Sequence, residues 1–127
     1  MDITEDIADA KFMITGYKSD CVLINHEPHH KSVIVSPDTL ISPWEVTDIS
    51  QLSETTLASI LDNHPENGLP EIVIMGTGET LILPEPKIIA LFAQHQIGLE
   101  TMNTSAACRT YGILVAEGRK ATAAIIF

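Results

Sequence analysis

The sequence predicts a single α/β domain of three layers: a mixed central β-sheet with flanking helices, and a small N-terminal antiparallel β layer. Three observations carry that prediction. Residues 11–47 hold short apolar runs divided by turn residues, whereas residues 53–127 read as helix and strand in the order αβαβαβ. The run Ile72-Val73-Ile74-Met75 is apolar at successive positions, the mark of a strand covered on both faces in a parallel sheet. The stretch ATAAIIF at 121–127 is too apolar to lie outside a sheet. At 127 residues the chain fits one domain spanning 1–127, with no linker-like segment and no repeat. A chain of this size buries about two-thirds of its unfolded surface, enough for its own core.

The elements follow in order. Residues 1–10 alternate acids with small apolar residues and are expected to pack loosely. Residues 11–17 (KFMITGY), 21–25 (CVLIN) and 31–36 (KSVIVS) are three apolar runs expected to form an antiparallel meander, with HEPHH at 26–30 as a polar turn between the last two. Pro37-Asp38 begins another turn, and 40–46 (LISPWEV) is a short extended piece with the only tryptophan. A helix is expected after Ser53, where Leu57, Ile60 and Leu61 fall on one face. Asn63, Pro65, Asn67 and Gly68 end it in a loop. The strand at 71–75 runs into Gly76-Thr77-Gly78. Pro84 and Pro86 bracket the start of the next helix, where a missing N–H costs nothing. That helix runs to about 94–96, with Gly98 close to where a terminating glycine is expected. A strand at 99–102, a helix ending near Glu117-Gly118, and the strand at 121–127 complete the chain.

Composition restricts the function classes. The hydrophobic fraction of 45% is that of an ordinary globular protein. Net charge is -10, from 17 acids against 7 bases, so the chain repels phosphate backbones; nucleic-acid partners and anionic membranes are not expected. Cys21 and Cys108 stand far apart in no metal-like spacing, which reads as two reduced thiols. The acidic start MDITED has no apolar core of a secretory signal, and no apolar run approaches the roughly 18 residues of a membrane span. A soluble, cytoplasmic protein without membrane insertion is the expectation.

In open α/β sheets, sites form beyond the carboxyl ends of strands. Two such ends are chemically distinctive here. One is Gly76, Thr77 and Gly78, where glycines permit close approach and positive φ. The other is Asn103, Thr104 and Ser105 at a helix N-terminus, which offers free N–H groups and partial positive charge. With Arg109 these residues form a candidate site for a carboxylate or phosphate. The competing reading is that Asn103 or Thr104 caps the helix and the glycines only turn the chain. On the helix, Ser105, Arg109, Gly112 and Ala116 make one stripe whose small members leave room beside Arg109; an ion pair of Arg109 with Glu79 or Glu100 is the alternative. Cys108 beside Arg109 is a candidate reactive thiol, but it lacks a placed base, since nothing positions His64 or His95. Adjacent His29 and His30 point oppositely on an extended chain, so HEPHH reads as an exposed turn and no metal site is expected.

These residues carry a family likeness. IVIMGTGET at 72–80, ETMNTSAACRTY at 100–111 and LVAEGR at 114–119, with the early Gly16-Tyr17 and Trp44, resemble a small domain family of unknown function. That family includes the mitochondrial complex I assembly factor 3 and an adipogenesis-associated domain protein of animals. Gly112 is a departure, where the family favours asparagine; this takes one possible hydrogen bond from the pocket. The resemblance implies a three-layer α/β fold with a mixed sheet and a second small antiparallel layer. It implies no established enzymatic activity and no cofactor, and for the eukaryotic relative a role in building a respiratory complex. By analogy this chain is expected to be an accessory protein, a monomer or homodimer acting through protein contacts, with respiratory-complex subunits as possible partners. The alternative is a small anionic-ligand module or enzyme with its pocket at the GTG loop and the 103–109 helix N-terminus.

Overall fold

The computed structural model describes residues 10–62 and 68–127. The stretch expected to pack loosely falls outside these residues except for Ala10, as does the loop at 63–67 with His64.

The antiparallel layer is built from β1 (Ile14–Lys18), β2 (Cys21–Ile24) and β3 (Glu27–His29), in that spatial order. Two expectations are corrected here. The turn after β2 is Asn25-His26 alone, both at positive φ (51° and 71°), the two-residue geometry that suits a right-twisted hairpin. Glu27-Pro28-His29 is therefore strand rather than turn, and Pro28 is tolerated because β3 lies at a sheet edge. The run at 31–36 is not the third strand of the meander. Its centre, β4 (Val33–Val35), is buried at every position, and only a central sheet covers both faces of a strand.

The central sheet has the order β5-β4-β8-β6-β7, adding β5 (Leu40–Ile41), β6 (Ile72–Gly76), β7 (Gly98–Met102) and β8 (Ala121–Ile125). β6 runs parallel to β7 and β8, whereas β4 is antiparallel to β8, so the sheet is mixed as predicted. Of the extended piece at 40–46, only Leu40–Ile41 is strand, while Trp44 and Val46 are buried beyond it.

The helices are α1 (Ala58–Leu61), α2 (Pro86–Gln94) and α3 (Thr104–Ala116). α1 is shorter than expected. The Thr56 hydroxyl bonds the carbonyls of Gln51 and Ser53, a local alternative to the helical ladder. Its face of Leu57, Ile60 and Leu61 is buried as read from the sequence. α2 begins with Pro86 in its first turn. It ends without glycine: Gln96 takes φ 59°, while Gln96 N–H donates to Ala93 O and Ile97 N–H to Phe92 O. Gly98 lies inside β7 instead, donating its N–H to Glu71 O. α3 closes by the same bonding pattern with Gly118, at φ 77°, in the special position.

Alternation along β6 divides the core. Val73 and Met75 join Trp44, Leu57 and Phe92 on one face; Ile74 joins Val22, Cys108, Tyr111 and Ile125 on the other. Full burial of a side chain such as Phe92 or Ile74 contributes about 1.5–3 kcal/mol. The polar tips of the large aromatics are satisfied: Trp44 Nε1 donates to Thr56 O at 2.9 Å and Tyr111 Oη to Phe12 O at 3.1 Å. Among the described residues no helix is long and apolar enough to cross a membrane.

Candidate functional site

β6 and β7 are parallel neighbours, so the GTG loop and the start of α3 meet at one edge of the sheet. The two glycines have different physical reasons. A Cβ on Gly76 would stand 2.9 Å from Ile125 Cδ1, 3.2 Å from Ala107 Cβ and 3.3 Å from Thr104 Cα, so the first turn of α3 can seat only on a bare backbone. Gly78 has open space around it but takes φ 95°.

The corner is stitched from both sides. Thr77 N–H donates to Met102 O at 3.0 Å, Thr104 N–H to Gly78 O at 2.8 Å, and Gly78 N–H to Thr104 Oγ1 at 2.9 Å. Asn103 is the N-cap, its Oδ1 accepting from Ala106 N–H at 2.9 Å and from Ser105 Oγ at 3.1 Å. Ala107 N–H donates to Asn103 O, so three of the first four amides of α3 are already bonded. Little of the helix N-terminus is left for an anion. The Thr77 hydroxyl donates to Thr80 O at 2.7 Å and accepts from Ile82 N–H at 3.0 Å, which pins the loop beyond the glycines.

A cavity of about 550 Å³ opens beside this corner. Of the residues singled out in the sequence, Thr77, Gly78, Asn103, Thr104 and Ser105 line it; Gly76, Cys108 and Arg109 do not. The rest of the lining comes mostly from segments that sequence reading did not connect to the site, Tyr17 and Lys18, Asp48, and Phe127, together with Glu79 and Ile82 from the pinned loop. Lys18 shares this lining with two acids, Asp48 and Glu79, and the Asp48 carboxylate is held below its ordinary value by the Ser50 hydroxyl and amide.

Arg109 is exposed and reaches Tyr17 Oη at 3.5 Å and Ser105 Oγ at 3.4 Å from Nη1. It makes no ion pair with Glu79 or Glu100, so that alternative is corrected. Both residues that the guanidinium reaches, Tyr17 and Ser105, line the cavity. The room expected along the stripe is present at Gly112, where a Cβ would meet nothing within 4 Å.

Cys108 is buried, and burial pushes its thiol up to about 11 although Arg109 pulls the other way. Burial thus works against the thiolate that a reactive Cys108 would need. His95 supplies no base to it, since its ring nitrogen Nδ1 is engaged with Leu91 O at 2.9 Å on α2, the helix of the opposite core.

One feature of the site went unread in the sequence. Leu81, Ile82 and Leu83 are 54%, 46% and 68% exposed on the pinned loop, ahead of buried Pro84. The signal was available as an apolar triplet between Thr80 and Pro84, too short for a buried strand and bracketed by anchors.

Fold and site define a three-layer α/β domain whose parallel βα corner is closed by its own hydrogen bonds and flanked by an exposed apolar loop. The chain belongs to the family described as protein of unknown function (DUF498/DUF598), which matches residues 14–126. It is 28% identical over 127 residues to the 13 kDa major membrane protein of Francisella tularensis subsp. holarctica, covering 99% of each chain. It is 29% identical over 118 residues to NADH dehydrogenase [ubiquinone] 1 alpha subcomplex assembly factor 3 of Xenopus tropicalis, covering 92% of this chain and 62% of that one. The chain thus spans less than two-thirds of the assembly factor it resembles. A crystal structure of a Bordetella parapertussis protein superposes with a TM-score of 0.81 at 27% identity, over 94% of this chain and 98% of that one.

Proposed function

We propose that this chain is an accessory protein that acts by contacting other proteins, in the manner of the assembly factors it resembles, during the building of a respiratory NADH dehydrogenase. The observation that carries this reading is the triplet Leu81-Ile82-Leu83, held out to solvent between the Thr77 hydroxyl and buried Pro84. A loop ordered at both ends presents apolar surface with a smaller ordering cost at docking. The likeness to assembly factor 3 along 92% of the chain supports the choice of complex. The test is removal of the gene from a host that has such a dehydrogenase, with native-gel analysis of the complex and its NADH oxidation in membranes. Loss of assembled complex, restored by the intact chain but not by Leu81→Ser/Leu83→Ser of unchanged melting temperature, is the expected result. Normal assembly without the gene would remove the reading.

The cavity volume favours a second reading, a small-ligand site, since about 300–1,000 Å³ is the range of such pockets. Here Lys18 is the cation of the wall, with Arg109 in contact with the lining residues Tyr17 and Ser105. A carboxylate or phosphate compound that raises the melting temperature of the intact chain but not of Lys18→Ala would support it. A screen of such compounds without any shift would eliminate it.

A further inference from the structure

A different cluster lies in the small antiparallel sheet, beyond the proposed protein-contact role. Val22 on β2 pairs with His29 on β3, so the next positions in register, Cys21 and His30, stand side by side across the strands. Asp20 precedes Cys21 at the end of the turn from β1. One ligand atom from each of Asp20, Cys21 and His30 lies within 4.8 Å of the other two. His30 Nδ1 is 3.8 Å from Asp20 Oδ2 and 3.2 Å from Asp20 O. His29 is directed elsewhere, its Nδ1 bonding Ser42 Oγ at 2.6 Å.

The geometry points to a transition-metal site of the zinc class, held by the Cys21 sulfur, the Asp20 carboxylate and the His30 imidazole, with solvent in the fourth position. Thiolate, imidazole and carboxylate are the three ligand types of zinc, whereas calcium and magnesium call for oxygen alone. In a tetrahedral zinc site nitrogen and oxygen ligands stand about 3.4 Å apart, so the 3.8 Å gap between His30 Nδ1 and Asp20 Oδ2 must close by a few tenths of an ångström, with Nδ1 giving up its contact with Asp20 O. A bond to sulfur is longer, about 2.3 Å, and sets the sulfur about 3.6 Å from those ligands. Rotation of the Asp20 and His30 side chains, both exposed, supplies the rest, while Cys21 is fixed by burial. On binding, the S–H bond of Cys21 is replaced by a sulfur–metal bond and the proton leaves to solvent. Thiolate and carboxylate then balance a divalent ion, and a net charge of -10 attracts cations to the chain. Local spacing hid the cluster because the partners of His30 lie across a hairpin rather than within HEPHH.

The test is titration of the reduced, metal-free full-length chain with Co²⁺. The expected result is a thiolate-to-metal charge-transfer band in the near ultraviolet that saturates at equimolar cobalt and is displaced by Zn²⁺. Cys21→Ser abolishes the band and Cys108→Ser retains it. His30→Ala weakens binding by at least the about tenfold that even an outer-shell change costs. Absence of the band up to about 1 mM cobalt, the weakest affinity of interest, overturns the site. So does a band that survives Cys21→Ser or vanishes in Cys108→Ser. Circular dichroism checks the fold of each variant. Should Cys21→Ser unfold, His30→Ala at an exposed position decides alone, and undiminished affinity there overturns the site.

Discussion

Gly76, Gly78 and Gly112 show how one residue type answers three different demands. Gly76 makes room for α3, and Gly78 supplies a backbone angle that side chains resist. Gly112 does neither: it sits within α3, where an added methyl group would meet nothing within 4 Å. The structure therefore gives no packing return for the helix propensity lost there. Gly112→Ala is expected to stabilise the fold by about 1 kcal/mol, read as a higher denaturation midpoint in urea with an unchanged slope. A lower midpoint would contradict the open space beside it. The neighbouring Cys108 and Arg109 look like a pair in the sequence, yet the structure sends them to opposite environments. One is in the core and the other at the surface. A 3.6-residue repeat separates adjacent positions by about 100° around the helix, which is enough to divide them in this way.

At the scale of elements, the βα corner is closed chiefly by two side chains, the N-cap Asn103 and the first residue of α3, Thr104. Asn103→Ala removes the cap and is expected to cost about 1 kcal/mol. Thr104→Val keeps the shape but strips Gly78 N–H of its acceptor, with an expected cost of about 1–3 kcal/mol. Urea unfolding of both variants checks the order; equal and negligible losses would show that water replaces these bonds freely. The corner was legible in the sequence because its parts are local: glycines after an apolar strand, then a capping residue before a helix. The other cavity wall was not. Tyr17, Lys18 and Asp48 reach it only through the packing of the antiparallel layer and a loop, and no periodicity encodes that meeting. The same limit explains the misplaced strands. Residues 31–36 carry a strand signal whichever sheet they join, and what ties β4 to the central strands is β8, some ninety residues away by the pairing of Val35 with Ala123. The αβαβαβ order from residue 53 was readable because helix and strand repeats differ within each segment.

The whole molecule is a mixed sheet with a separate core on each face, and β8 is the strand that unites it. β8 is paired with β4 on one side and β6 on the other, and all five of its residues are buried. Yet it follows both partners in the chain. A ribosome delivers about 5–20 residues per second, so the pairs β5–β4 and β6–β7 emerge first as separate fragments with apolar edges open. A nascent chain arrested with Ala121 still in the exit tunnel is expected to be cut by protease within β4 and β6. One extended until Ile125 is clear of the tunnel should resist; equal resistance would mean that the halves close without their middle strand. Vectorial synthesis thus leaves the edges of β4 and β6 without their shared partner for an interval, and the length of that interval is written into the order of the strands.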